Sequence, residues 1–174
     1  MAKKAETRTL AFEVGQSVVY PAHGVGRVTA VEKQTVAGMA LEVYVVAFDQ
    51  DKMILRVPTN RAEASGMRAL AGSKLVDDAL KTLGGKARIK RTMWSRRAQE
   101  YEAKINSGDL ISIAEVVRDL HRGDDQPEQS YSERQLYESA LDRMARELAA
   151  VENIDKVKAM EKLAKSLAKK KIAA

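Results

Sequence analysis

The strongest constraint on the fold of this 174-residue chain is a change in its hydrophobic pattern at Pro58. Before Pro58, short runs of β-branched and aromatic residues are separated by turn residues, and the longest run, at residues 41–48, is nearly continuous Val, Tyr and Phe. Such a run is typical of a strand that is buried on both faces. After Pro58, apolar residues recur every three or four positions, which is the period of an amphipathic helix. These patterns predict an α+β fold of two modules, in which a small antiparallel β-sheet or barrel precedes a compact all-helical domain.

Shifts in composition place the boundaries of the modules. Residues 1–11 are polar and aperiodic and are predicted to be disordered. Residues 12–70 are predicted to form the β module, and residues 71–91 a connecting helix followed by a basic linker. Residues 92–174 are predicted to form the helical module, which ends in a lysine-rich helix.

Local signals locate the individual elements. Strands are predicted at residues 27–31, 41–48 and 52–57, with Ala37 and Gly38 in a turn. In the last strand a period of two separates the face of Met53, Leu55 and Val57 from the face of Lys52, Ile54 and Arg56. Helix starts are predicted at Ser73, at Asp109, at a capping box of Ser132 and Gln135, and at Asn153. The predicted apolar face of the last helix consists of Ile154, Val157, Met160, Ala164, Leu167 and Ala168.

Composition excludes several classes of site. The chain has no cysteine, which rules out disulfide bonds, thiolate metal sites and a cysteine nucleophile, and fits a reducing cytosol. No apolar run approaches the length of a membrane span, and residues 1–6 lack the apolar stretch of a signal peptide. We therefore expect a cytoplasmic protein with no membrane partner.

Catalytic and metal sites find little support in the sequence. His23 and His121 have no nucleophile pattern beside them, and each is interpreted as structural or solvated. Gly24 and Gly26 lack the third glycine and the strand–helix context of a dinucleotide fingerprint, so they predict a turn. The acidic loop at residues 123–130 lacks the ligand pattern of a calcium site. The chain is expected not to be an enzyme and to need no cofactor or metal.

The net charge of +6 is unevenly distributed along the chain. Residues 81–104 and residues 156–171 each carry a net charge of +6, whereas residues 105–155 carry −7 and residues 12–72 are neutral. The concentration of positive charge in two segments is compatible with a nucleic-acid partner but does not require one. For the lysine-rich helix, a solvated face packed on the helical module is the default interpretation. A nonspecific nucleic-acid arm is a second, and a membrane-surface helix is a third that the lack of an aromatic anchor disfavours.

The stretch at residues 88–97 holds the only tryptophan, Trp94, among five basic residues. A large flat apolar side chain ringed by Arg and Lys is suited to grip a phosphate backbone and to enter a base step. However, Trp94, Ala98, Tyr101 and Ile105 fall at helical spacing, so Trp94 is also interpretable as the first core residue of a helix. Spacing alone favours the core.

Several motifs resemble one known family. The segment FEVGQSVVYPAHGVG at residues 12–26 is similar to the N-terminal signature of the CarD/CdnL family of bacterial transcription regulators, and LRVP at residues 55–58 is similar to the end of that module. WSRR at residues 94–97, SGD at 107–109 and AEVVRDL at 114–120 resemble the family's helical module in order and spacing. The first module also resembles the polymerase-binding module of transcription–repair coupling factors. The helical half with its tryptophan separates the two.

The resemblance implies a Tudor-like β module that docks on the β subunit of bacterial RNA polymerase. It also implies a helical module that contacts promoter DNA in the minor groove near the −10 element, at the upstream edge of the melted bubble. There Trp94 would act as a wedge that slows bubble collapse and stabilises the open complex. Arg96 and Arg97 would contact the DNA backbone, with Arg134 as a further basic contact. Arg91, from the same basic stretch as Trp94, completes the predicted DNA-binding set.

Two positions concern the polymerase contact. Arg56 matches a polymerase-contacting arginine of the family. A second position of that kind, in the turn after the second strand, holds Gln34 with Lys33 beside it, which departs from the family pattern. We expect a monomer that associates with the nucleoid through RNA polymerase.

Two other functions stay open from the residues alone. One is a polymerase-independent, nonspecific nucleoid-type protein that uses the two basic segments to bind DNA. The other is a protein–protein adaptor in which Trp94 belongs to the core.

Overall fold

The computed structural model describes residues 10–48, 51–123 and 126–168. Outside these ranges lie most of the predicted disordered segment, the turn residues Asp49 and Gln50, the acidic pair Asp124 and Asp125, and the end of the lysine-rich segment from Lys169 onward. Within them, no helix is both long enough and apolar enough to cross a membrane.

A sheet of five strands is followed by five helices. The strands are β1 Ser17–Tyr20, β2 Gly24–Val36, β3 Met39–Phe48, β4 Met53–Pro58 and β5 Arg68–Ala69. All pairings are antiparallel, and the spatial order is β4-β3-β2-β1-β5. The predicted α+β fold, with an antiparallel sheet followed by a helical domain, is confirmed.

The prediction for the second strand is too short. β2 does not end at Val31 but continues to Val36, because its polar residues pair with β3 in a long hairpin. Lys33 is opposite Glu42 and Gln34 is opposite Leu41, so both residues lie in a strand and not in a turn. The turn itself falls at Ala37 and Gly38 as predicted. Pairing with a neighbouring strand supplies the backbone hydrogen bonds that the local residue types did not indicate.

The core of the sheet is built on β3 and β4. Val43 to Val46 are all buried, which confirms the strand buried on both faces. In β4, the predicted alternation is also confirmed: Met53, Leu55 and Val57 are inward, whereas Ile54 and Arg56 are exposed. The turn predicted at Gly24 and Gly26 is wrong, because both pair with β1 as part of β2. Gly26 lets β2 approach this core closely, since a Cβ there would lie 2.8 Å from side-chain atoms of both Phe48 and Val46.

The helices are α1 Ser73–Leu83, α2 Trp94–Asn106, α3 Leu110–Leu120, α4 Tyr131–Glu152 and α5 Lys156–Ala168. α3 is the central helix and packs against α1, α2 and α4, while α5 packs against α1 and α4. The inward residues of α3 are Leu110, Ile113, Ala114, Val116, Val117 and Leu120. One continuous apolar core therefore joins all five helices.

Three of the four predicted helix starts are wrong by one or two residues. Ser73 is the first helical residue of α1, and the N-cap is Gly72, whose position offers no side-chain cap. Ser132 lies inside α4, because Ser130 is the N-cap and its side chain accepts from the amide of Glu133. The pair Ser130 and Glu133 has the same Ser-x-x-Glu spacing two residues earlier, so the pattern was assigned to the wrong serine.

Asn153 is also misassigned. It is the C-cap of α4 in the left-handed conformation, with φ of 53°, and Asp155 accepts a hydrogen bond from the amide of Lys158 at 2.8 Å in the first turn of α5. The prediction at Asp109 is confirmed, since its carboxylate accepts from the amide of Ser112 at 3.1 Å.

The predicted apolar face of α5 is partly wrong. Leu167 is buried as predicted, and Ile154 and Met160 pack against the core, but the other buried residues are Ala159 and Leu163, and Val157 is 68% exposed. Ala164 and Ala168 are also exposed. Partly exposed ion pairs also link α5 to α4, since Lys156 contacts Asp142 and Lys162 contacts Glu152.

The two modules are joined by charged side chains at a close junction. Arg143 of α4 donates to the carbonyl oxygens of Pro21 at 2.7 Å and Ala22 at 2.6 Å, in the connection between β1 and β2. Burial, with Arg146 nearby, lowers the pKa of the Arg143 guanidinium from its usual value. At Gly108, between α2 and α3, a Cβ would lie 2.9 Å from the Cα of Pro21, so the modules touch through backbone there.

A second link crosses the junction from β5. Arg68 donates to both carboxylate oxygens of Glu147 in α4, at 2.8 and 2.7 Å, and also to the carbonyl oxygen of Gly108. Glu147 is only 3% exposed and accepts a third hydrogen bond from the amide of Ala71. This pair had not been predicted, and neither had the two-residue strand that carries Arg68.

Candidate nucleic-acid interface

The basic linker between α1 and α2 leads to Trp94 along the surface of the helical module. Lys86, Arg88, Lys90 and Arg91 are exposed, and Met93, the N-cap of α2, is 78% exposed. Lys90 forms an ion pair with Glu100 at 3.3 Å, while Arg91 has no ion pair among the described residues. The linker therefore presents cations to solvent beside the first turn of α2.

Trp94 is the first residue of α2, and it is partly buried. One part of its indole packs on the helical core, with the ring of Tyr101 at 6.3 Å between centroids and an interplanar angle of 47°. The fully buried residues of α2 are Tyr101 and Ile105 alone. Trp94 is therefore anchored on the core and still partly accessible, and its role as a wedge stays a prediction.

The two arginines after Trp94 differ in their surroundings. The guanidinium of Arg97 lies 5.4 Å from the centroid of the Trp94 ring and 5.7 Å from that of Tyr101, and it donates to the Tyr101 hydroxyl at 3.3 Å. A cation over an aromatic face is attracted by the ring quadrupole. Arg97 therefore steadies the indole, whereas Arg96 is exposed and makes no ion pair within the part of the chain that the structure describes.

Arg134 lies in the first turn of α4 and is exposed. Like Arg91 and Arg96, it has no acidic partner within the described ranges. Cations that are not neutralised by the protein are available to phosphate groups. The five predicted DNA-binding residues thus separate into three solvated cations, one indole and one arginine that supports the indole.

A buried aspartate fixes the linker, and sequence reasoning missed it. Asp119 of α3 is 3% exposed, and its Oδ1 accepts from the backbone amide of Arg88 and from Nε of Arg118, both at 2.9 Å. These bonds tie the start of the basic stretch to the central helix. The available signal was Asp119 beside the apolar residues Val116, Val117 and Leu120, because a carboxylate on a buried face requires a partner.

Replacing Asp119 with Asn is expected to loosen the linker without removing any DNA-facing side chain. A neutral amide accepts more weakly than a carboxylate, and a buried hydrogen bond to a charged group contributes about 1.5–3 kcal/mol. We expect faster hydrogen exchange at the amide of Arg88 and a lower melting temperature. Asp109→Asn is the control, since Asn caps a helix as well as Asp does. Equal protection of the Arg88 amide in both variants would contradict the anchoring role.

Both histidines lie against aromatic rings. His23 stacks on Tyr20 at 5.7 Å with an interplanar angle of 18°, and it also contacts Phe48. His121, the C-cap of α3, is 2.9 Å from the hydroxyl of Tyr137 in α4. Burial raises the pKa of the Tyr137 hydroxyl. Among the described residues there is no group of three or more metal-ligating side chains.

The predicted polymerase contacts are divided between the two faces of the sheet. Arg56 lies on β4, which is an edge strand, and its Nε is 3.7 Å from a carboxylate oxygen of Glu32. Because Arg56 is opposite Val45 and Val45 is opposite Ala30, the alternation along β2 places Gln34 on the same face as Arg56. Lys33 lies on the opposite face, beside Leu41 and Glu42 in a shallow cleft.

Comparison with known proteins covers both modules. Residues 12–71 match the family model described as CarD-like/TRCF RID domain, and residues 78–164 match the model described as CarD, C-terminal domain. The chain is 25% identical over 143 residues to the protein named "Putative transcription factor YdeB" of Bacillus subtilis (strain 168), which covers 82% of this chain and 94% of that protein.

One similar solved structure is the solution NMR structure of the 72-residue N-terminal domain of Myxococcus xanthus CarD. It is 35% identical and covers 36% of this chain and 84% of that chain, with a TM-score of 0.31.

Proposed function

Because the chain belongs to the CarD/CdnL family of transcription regulators, we propose that it binds the β subunit of bacterial RNA polymerase through residues 12–70 and stabilises the open promoter complex through its helical module. The matched RID domain is an RNA polymerase-interacting domain. The observation that carries the DNA part of the proposal is the indole of Trp94, held on the core by Tyr101 and Arg97 but still partly accessible beside solvated cations.

The energetics favour action on melted DNA over intact duplex. A side chain that wedges into a base step costs a few kcal/mol of unstacking. At the upstream edge of a bubble the strands are already parted, so the same insertion costs less. A ligand shifts an equilibrium only by its differential affinity for the two states. A preference of about 1.4 kcal/mol for open over closed DNA changes the equilibrium roughly tenfold.

The β module supplies the tether. β4 is an edge strand, and its outer face presents Arg56 and the exposed Ile54. An edge strand offers unpaired backbone groups to a partner strand, and exposed side chains of alternate residues add specificity. Once the polymerase is bound, the helical module reaches the promoter at a high effective concentration, so weak intrinsic affinity for DNA is sufficient.

Replacing Arg56 with Glu is expected to weaken binding to the isolated β subunit, because it reverses the charge on the face that we assign to the polymerase. The fold should persist, since exposed substitutions usually change stability by less than about 0.5 kcal/mol. Arg61→Glu is the matched control, because Arg61 is exposed in the turn after β4 and the charge change is the same. A titration in which Arg56→Glu and wild type bind the β subunit equally would remove Arg56 from the interface.

The alternative function, a polymerase-independent nucleoid protein, predicts a different affinity for nonspecific DNA. It requires tight binding to nonspecific duplex without polymerase, with a steep dependence on salt. Our proposal expects weak binding to that duplex and tight promoter binding only with the polymerase present. The full chain, titrated with nonspecific duplex in both conditions, distinguishes the two functions.

A further inference from the structure

The two basic segments of the sequence meet in space. They are separated by the acidic residues 105–155, yet α5 packs against α1, which immediately precedes the basic linker. The contact is close, because a Cβ on Gly84 would lie 3.6 Å from the carbonyl oxygen of Ser166 in the last turn of α5. The C-terminal end of the lysine-rich helix thus reaches the start of the linker that leads to Trp94.

The lysines of α5 fall into two classes. Lys156 and Lys162 are neutralised by Asp142 and Glu152 of α4. Lys158 and Lys165 are exposed and have no acidic partner among the described residues. They are seven residues apart and share the helix face opposite the buried Leu163. Solvated cations on this helix are therefore confined to its outer face.

Lys165 is the one that lies close to the start of the basic linker. Glu161, also exposed, lies on the same outer face one turn away from each of them and offsets part of their charge. Lys165, however, is next to Ser166 and so lies near Gly84, where Lys81 and Lys86 are also exposed. We call Lys81, Lys86 and Lys165 the basic corner.

The length of the linker limits how far the basic corner can lie from Trp94. Residues 84–93 span at most about 3.3–3.6 Å each when extended, or about 35 Å in total. One turn of duplex is about 34–36 Å. A duplex that passes Trp94 can therefore reach the basic corner within one helical turn, along a path lined by Arg88 and Arg91.

We propose that the basic corner is a second DNA-contact surface, which binds the phosphate backbone of the duplex upstream of the step that Trp94 enters. This rests on the proposed function, because Trp94 sets the position of the DNA. This surface is not expected to recognise DNA sequence, because lysines interact with phosphates as point charges. Its effect is to orient the helical module on the upstream duplex.

The test uses the full chain with RNA polymerase and a promoter fragment. The double variant Lys86→Gln/Lys165→Gln is expected to reduce the slope of log affinity against log salt by about two, because each substituted lysine no longer neutralises one phosphate. The matched control is Lys156→Gln/Lys162→Gln, which removes the same charge from lysines that the protein already neutralises. The control should leave the slope unchanged.

A second template separates the two proposals. On a promoter fragment that ends immediately upstream of the Trp94 step, the double variant and wild type should give the same slope. The first promoter fragment includes the upstream duplex. If the double variant and wild type give equal salt slopes on that fragment while Arg96→Ala gives a lower slope, the basic corner does not bind DNA and the proposed function stands. If Arg96→Ala also has no effect, the proposed function itself fails. An equal reduction on both templates would overturn the upstream placement.

Discussion

Replacing Glu147 with Ala is expected to lower the free energy of unfolding of the full chain by about 3 kcal/mol, the low end for a buried pair, because it leaves a partly buried guanidinium without its counter-ion. The carboxylate accepts from both terminal nitrogens of Arg68 and from the amide of Ala71, and the substitution removes all three hydrogen bonds together. Whole domains are stable by only about 5–15 kcal/mol. The change is therefore expected to remove a large part of the total stability.

Urea denaturation of the full chain measures this effect. Glu138→Ala is the control, since Glu138 is exposed on the same helix and its removal should change stability by less than about 0.5 kcal/mol. The double variant Arg68→Met/Glu147→Leu should recover much of the stability, because replacing both members of a buried pair by apolar groups avoids the unpaired charge. A decrease below about 1 kcal/mol for Glu147→Ala would show that the pair does not hold the junction.

Replacing Trp94 with Ala is expected to shorten the lifetime of open promoter complexes by about tenfold, the change that corresponds to about 1.4 kcal/mol of lost preference for melted DNA. Polymerase binding should persist, since the β module is untouched. The melting temperature should fall only modestly, because Trp94 is partly buried. Tyr101→Ala provides the contrast, as Tyr101 is 6% exposed and removal of a buried aromatic side chain costs about 3–5 kcal/mol.

Two measurements decide the role of Trp94, namely thermal melting and the decay of open complexes after addition of a competitor. Trp94→Phe should retain part of the lifetime, because a smaller flat ring can still enter a base step. If Trp94→Ala destabilises the protein as much as Tyr101→Ala does, Trp94 is a core residue. A stable variant with an unaltered lifetime would equally withdraw the wedge.

Regular patterns were the part of this fold that the sequence predicted well. The alternation in β4, the buried run in β3 and the cap at Asp109 all followed from period and residue type. Caps were less predictable, because Ser130 and Ser132 each stand three residues before a Glu or Gln, and the residue types do not say which serine is the cap. The buried face of α5 depends on how the helix packs against α1 and α4, and the apolar period of one segment does not contain that information.

Interactions between residues distant in sequence were not predictable in detail. Arg68 and Glu147 are 79 residues apart, and a two-residue strand has too little pattern to be recognised. A partial signal existed, since Glu147 sits between Met144 and Leu148 on the inward stripe of α4, and a charge on such a stripe requires a partner. Spacing favoured the core for Trp94, whereas the structure shows an indole that packs on the core and is only partly buried.

The order of Arg68 and Glu147 along the chain has a consequence for synthesis on the ribosome. Arg68 leaves the ribosome 79 residues before its partner. At about 5–20 residues per second, β5 therefore waits several seconds for α4. During that time the guanidinium is solvated by water, so Arg68 needs no counter-ion. Glu147, which is buried in the folded protein, is synthesised after Arg68. Its cationic partner is therefore already present when Glu147 becomes buried, and the nascent chain need never bury this carboxylate alone.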